Sequence, residues 1–169
     1  MVLKLLCSFI RVAGGVAFTE PKGLDGTGSK RPDAQVHFPG GPVLVDVSVT
    51  HPSCKSYVTM ASTTPLSAAS KREHYKHLKY DILAAEEKSM FVAFVLESFG
   101  AFGREALKFI KRLVKSFSAC LFSPGPKGYF RGRIFRALSV CLQKGNALIQ
   151  LLGCRQARQS AGVQVGFPT

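Results

Sequence analysis

The stretch Arg31-Pro32-Asp33-Ala34-Gln35-Val36-His37-Phe38-Pro39-Gly40-Gly41-Pro42-Val43-Leu44-Val45-Asp46-Val47-Ser48-Val49 reads as two short strands around a Pro-Gly-Gly-Pro turn. Residues 34–38 alternate small or apolar with polar side chains, and residues 43–49 are rich in β-branched ones. With a turn of two or four residues the strands pair antiparallel, and the expected register sets Phe38 against Val43, Val36 against Val45 and Ala34 against Val47. One face is then apolar and belongs to a core. The other collects Asp33, Gln35, His37, Leu44, Asp46 and Ser48, with Asp33 and Asp46 as diagonal neighbours about 7–8 Å apart at the backbone. A three-residue turn would separate the two carboxylates, because a one-residue slip reverses every side chain.

Outward from this hairpin the chain alternates helices and strands. Residues 1–10 form an amphipathic first helix rather than a signal peptide, since Arg11 ends a short apolar run and no small-x-small site follows. Residues 16–19 read as a strand, 21–30 as a Gly-rich connection and 51–67 as a polar loop. The spacing predicts a helix over 68–88 with Tyr75, Leu78 and Ile82 toward the core and Arg72, Lys76 and Lys79 on an adjoining face. Residues 90–96 are an apolar strand, far shorter than the roughly 20 residues that cross a bilayer, so no membrane span is expected. A second basic helix over 100–117 turns Phe102, Ala106, Phe109, Ile110, Leu113 and Phe117 inward and Arg104, Lys108, Lys111 and Lys115 outward. A last helix over 131–151 carries Arg131, Arg133 and Arg136, and the tail after Gly153 is expected to fray. The fold class is α/β, a mixed sheet flanked by helices. Residues 1–118 form the α/β domain and 119–169 a basic helical extension with a flexible tail.

The chain has 23 Lys and Arg against 10 Asp and Glu in 169 residues, a formal net charge of +13. That balance favours a polyanionic partner, nucleic acid or an anionic membrane surface. With 46% hydrophobic residues the chain can bury a substantial core. Its five cysteines are scattered and odd in number, with no CxxC pair, which argues against a disulfide framework and a structural zinc site. His74 and His77 lack a third ligand at matching spacing and read as solvated helix residues.

Two carboxylates on adjoining strands beside a basic helix are the minimum that holds a divalent metal against a phosphodiester. In the PD-(D/E)xK nuclease pattern a Lys follows the second acid by two positions, and here that position is Ser48. Lys76 or Lys79 can supply the amine from the following helix. Arg31-Pro32-Asp33, Asp46 within Val-Asp-Val-Ser-Val-Thr-His-Pro and Lys76-His-Leu-Lys79-Tyr80 together resemble the restriction-enzyme-like endonuclease domain of non-LTR retrotransposons, over roughly residues 20–113. Residues 91–100 and 138–146 are similar to C-terminal portions of reverse-transcriptase reading frames.

The resemblance implies a restriction-endonuclease-like fold and a DNA nicking or cleaving activity dependent on Mg²⁺ or Mn²⁺. It makes Asp33 and Asp46 metal ligands and Lys76 or Lys79 the catalytic base or clamp. Glu20 is a further candidate ligand, with Asp25 equally within reach. Lys30, Arg31, Arg72, Lys76, Lys108, Lys111, Arg131 and Arg133 are candidate nucleic-acid contacts, the partner being DNA or RNA. A reverse-transcriptase module in a longer parent protein and a nuclear site of action are also implied. The alternative is a nucleic-acid-binding remnant that keeps fold and charge without turnover.

Overall fold

A computed structural model describes residues 1–21, 31–119 and 126–160. The elements run α1 (Val2–Val12), β1 (Val16–Thr19), β2 (Ala34–Phe38), β3 (Gly41–Thr50), α2 (Val58–Ala61), α3 (Ser67–Glu86), β4 (Met90–Glu97), α4 (Arg104–Ala119) and α5 (Lys127–Ser160). The strands form one mixed sheet in the order β1-β2-β3-β4, antiparallel at the first two junctions and parallel between β3 and β4. The mixed α/β class expected from the sequence is what the chain adopts. Three elements depart from their predicted bounds. The 51–67 loop contains the short helix α2, α4 starts at Arg104, and α5 continues through Gly153 to Ser160.

α1 buries Leu6, Cys7, Phe9 and Ile10 on one face. Its end is closed by Gly14, at φ +79°, with Gly15 N–H donating to the Ile10 carbonyl at 2.9 Å and Gly14 N–H to that of Arg11 at 3.0 Å. This left-handed stop turns the chain straight into β1. A Cβ on Gly15 would lie 2.9 Å from both Ile10 Cγ2 and Phe38 Cε1, so the close approach of α1 to β2 depends on that glycine.

The hairpin closes on two residues, Pro39 and Gly40, and its register corrects the expected one. Ala34 pairs with Val45, Val36 with Val43 and Phe38 with Gly41, two residues away from the predicted partners. Because strand side chains repeat every two residues, this shift leaves each one on its predicted face. It also brings Asp33, just before β2, into line with Asp46 instead of onto its diagonal.

The sheet separates two cores. On one side Val36, Val43, Val45, Phe94 and Leu96 pack with α1, α4 and the first half of α5, whose Phe130, Ile134, Leu138 and Leu142 belong to this same cluster. Phe130 stacks on Phe117 with ring centroids 3.9 Å apart. The inward set predicted for α4, Ala106 through Phe117, is buried as expected. On the other side α3 covers Leu44, Phe91, Ala93 and Val95 with Ala69, Tyr80, Leu83 and Ala84.

The predicted core face of α3 is wrong. Tyr75, Leu78 and Ile82 are 57, 70 and 65% exposed, while Glu73 and Tyr80 are buried. The helix is rotated so that a face of small and apolar residues interrupted by Glu73 and Lys76 meets the sheet, for the reason given by the residues beneath it.

β4 is an edge strand, and its open edge is covered from within the chain. Ala93 N–H donates to Glu105 Oε2 at 2.9 Å, Gly103 N–H to the Val95 carbonyl at 2.9 Å, and Glu97 N–H to the Ala101 carbonyl at 2.8 Å. His77 then ties α3 to this edge, with Nε2 2.6 Å from Glu105 Oε1 and Nδ1 2.7 Å from Asp81 Oδ1. It is therefore a fastened residue and not the solvated one expected. Burial works against a charged imidazole, but the two carboxylates outweigh it and raise the His77 pKa.

Candidate active site

Asp46 lies in the middle of β3 and points at α3, where it is 3% exposed. A carboxylate so buried needs a partner. Lys76 Nζ provides it at 2.6 Å from Asp46 Oδ2, with the Lys76 side chain 12% exposed. Ser48 Oγ donates more weakly to the same oxygen at 3.4 Å. An amine from the neighbouring helix thus stands beside Asp46.

Lys76 can do this because α3 presents Glu73, Lys76, His77 and Tyr80 on one side, three or four residues apart. Lys79, the other candidate, stands with its Nζ 4.8 Å from the centre of the Tyr80 ring and pairs with no carboxylate among the described residues.

Asp33 caps the start of β2 and accepts the Val47 N–H at 2.7 Å through Oδ2. That bond crosses to the residue after Asp46 and fixes the two carboxylates side by side. Asp33 has a raised pKa, chiefly through burial. The Asp46 and Glu20 charges push it the same way, while the Val47 N–H and the Lys76 ammonium oppose them. Two carboxylates and one ammonium brought together in a largely buried setting are an arrangement that perturbs pKa values, as functional sites and structural ion pairs both do.

Tyr80 was not assigned a role from the sequence. It is 2% exposed and donates its hydroxyl to the Arg31 carbonyl at 3.1 Å, tying α3 to the chain just before Asp33. Burial and the Asp46 carboxylate beside it push the phenol pKa upward, so it stays a neutral donor. Its place one helical turn after Lys76 was the available signal.

Glu20 is near enough to influence Asp33 but is turned away. It is 65% exposed at its side chain and paired with Arg31, an ion pair at the surface. Lys30 and Asp25 lie outside the described residues. The remaining candidate contacts divide between the two layers. Arg72 lies on α3 with its guanidinium over Tyr75, whereas Lys108 and Lys111 project from α4 and Arg131 and Arg133 from α5, on the far side of the sheet. Arg31, Arg72 and Lys76 are thus the candidate contacts on the carboxylate side.

Asp33 Oδ2 takes the Val47 N–H and Asp46 Oδ2 the Lys76 and Ser48 contacts, and the Tyr80 hydroxyl is a further hydrogen-bonding neighbour of Asp46. Among the described residues no group of three His, Cys, Asp or Glu forms a closed metal cage. Two carboxylate oxygens completed by water and phosphate suit Mg²⁺, which binds through one or two carboxylates and keeps several waters.

No protein-family model matches the sequence, and no curated protein does. No helix among the described residues is long and apolar enough to cross a membrane.

Proposed function

We propose that this chain is a metal-dependent DNA endonuclease of the restriction-endonuclease-like class, of the kind that accompanies retrotransposon reverse transcriptases. The observation that carries the reading is the buried Lys76–Asp46 pair at 2.6 Å beside Asp33, since it restores the acid, acid and amine set that Ser48 interrupts in the sequence. The order helix, three strands, two helices, strand, with the acids just before β2 and on β3, supports it.

Asp33 and Asp46 would hold Mg²⁺ or Mn²⁺ through their carboxylates. The metal, when bound, supplies Lewis acidity toward a phosphodiester oxygen. Lys76 keeps a positive charge within the cleft where negative charge develops on the phosphate. Tyr80 and Ser48 hold Asp46 and the Arg31 segment in place. Arg31 at the surface and Arg72 on α3 offer phosphate contacts, which accounts for part of the basic charge.

The test is nicking of supercoiled plasmid in Mg²⁺ or Mn²⁺ by the wild-type chain and by Asp33→Asn, Asp46→Asn and Lys76→Met at matched folded yield. Metal-dependent nicking lost in all three variants supports the reading. One observation favours a second reading, a DNA-binding protein without turnover: Asp46 is almost wholly buried and already neutralised by Lys76. That reading predicts equal DNA binding in EDTA and in Mg²⁺, with no nicking by a folded wild type.

A further inference from the structure

The C-terminal ends of β3 and β4 open into a cleft of about 680 Å³, closed on its third side by α5. In parallel α/β units, ligands bind beyond the carboxyl ends of the strands. The volume falls in the range of small-ligand pockets. Thr50 on its floor is four residues beyond Asp46 on the same strand and the same face, about 13 Å along β3. The cleft is therefore separate from the carboxylates and within a few nucleotides of them.

Its wall carries Phe99, 68% exposed at the tip of the β4–α4 connection. That ring is not a loose side chain. The following Gly100, at φ +105°, returns the chain sharply, and Gly100 N–H donates to the Glu97 carbonyl at 2.8 Å. The His51 ring meets Phe99 edge-on with centroids 5.1 Å apart, and His51 is itself hydrogen-bonded to Ser98. Facing Phe99, α5 presents three amides on one side at helical spacing, Gln143, Asn146 and Gln150. Asn146 is used structurally, donating to the Ser98 carbonyl at 2.7 Å, and this sets the distance between α5 and the Phe99 turn. Gln143 and Gln150 are exposed; Gln150 offers a donor and an acceptor, and Gln143, whose Oε1 takes a long 3.4 Å contact from the Asn146 amide, offers its NH2 group and a second lone pair. Among the described residues no carboxylate lines the cleft, in a chain of net charge +13.

We propose that this cleft receives an unpaired base of a single-stranded nucleic acid, stacked on Phe99 and hydrogen-bonded along its edge by Gln143 and Gln150. A fixed, exposed aromatic face beside amides, in an acid-free surround on a basic protein, is the combination by which splayed bases are held. A duplex base pair presents no free face to Phe99, so the site selects single-stranded or locally opened substrate. The proposal rests on the reading of the Asp33–Asp46–Lys76 site as one that acts on nucleic acid, and it names the form of substrate that site meets.

The test is binding in EDTA, where no cleavage occurs, of a short single-stranded DNA containing 2-aminopurine and of the same strand in a duplex. Wild type is compared with Phe99→Ala and Gln150→Ala, both exposed positions whose folding is checked by urea denaturation. The expected result is quenching of 2-aminopurine by wild type, abolished in Phe99→Ala together with a loss of about tenfold or more in single-strand affinity. Duplex affinity changes by less than a factor of two or three. An abasic site in place of the probe base should weaken wild type by a similar factor and Phe99→Ala not at all. Unchanged affinity and fluorescence in Phe99→Ala overturns the proposal. So does a wild-type dimer that Phe99→Ala converts to monomer with DNA binding intact, which would make the cleft a contact between copies. Because the readout needs no metal, absence of nicking refutes the endonuclease reading and leaves this result standing, and the converse also holds.

Discussion

Replacing Lys76 by Met removes an ammonium from a buried carboxylate and keeps an unbranched apolar stem of similar length. At 2.6 Å the pair attracts by about 6 kcal/mol with an effective dielectric constant near 20. Taking the two ions out of water costs several kcal/mol each, so the intact pair adds little net stability. Removing one partner is a different matter. Asp46 is left 3% exposed beside Asp33, with neutral hydroxyls alone near it, Ser48 at 3.4 Å and Tyr80. Breaking such a pair costs about 3–5 kcal/mol, and the lower end applies because the Lys76 side chain retains 12% exposure through which water can enter. Urea denaturation at neutral pH of wild type, Lys76→Met, Asp46→Asn and the double variant measures the coupling. The expected pattern is a loss of about 3 kcal/mol in Lys76→Met, most of it regained in the double variant, where no charge is stranded. A loss under about 1 kcal/mol, or a double variant no more stable than Lys76→Met, would refute the account of Asp46 as a buried anion held by Lys76.

Asp33→Asn should leave stability at neutral pH equal or higher, since the amide carbonyl still accepts the Val47 N–H and a raised carboxyl pKa means the folded state resists ionisation. By the same sign, wild-type stability falls as pH rises from the ordinary carboxylate value through the elevated one, and denaturation curves across that window should be flatter in the variant. His77→Gln tests the tie between α3 and α4: the wild-type imidazolium contributes stability that is full below the ordinary histidine value of 6.5 and lost as pH rises through the elevated folded value. Chemical denaturation from mildly acidic to mildly alkaline pH should show that decline in wild type and its absence in the variant.

The two faces of the hairpin were legible because alternation of polar and apolar residues is a period-two signal that a packed core enforces. The register was not, because a shift of two residues costs nothing in that signal, and the choice was made by the turn, where Gly41 takes φ +98° and Pro39 and Gly40 alone bridge the strands. The helix α3 was misread for a more informative reason. Apolar periodicity assigns Tyr75, Leu78 and Ile82 to the core, yet the surface that α3 must cover carries Asp46 in its middle, and an uncompensated carboxylate there would cost more than three exposed apolar side chains. The helix therefore turns Glu73, Lys76 and Tyr80 inward, satisfying Asp46 and the Glu105 N–H, and leaves its apolar stripe in water. A sequence shaped for stability alone would place an aliphatic residue at 46 and let the stripe face inward. The local rule fails at α3 because a buried acid is retained on β3, and violations of this kind are expected where a fold gives up stability for a site. The exposed stripe and the buried lysine thus point, from opposite faces of one helix, to the same carboxylate.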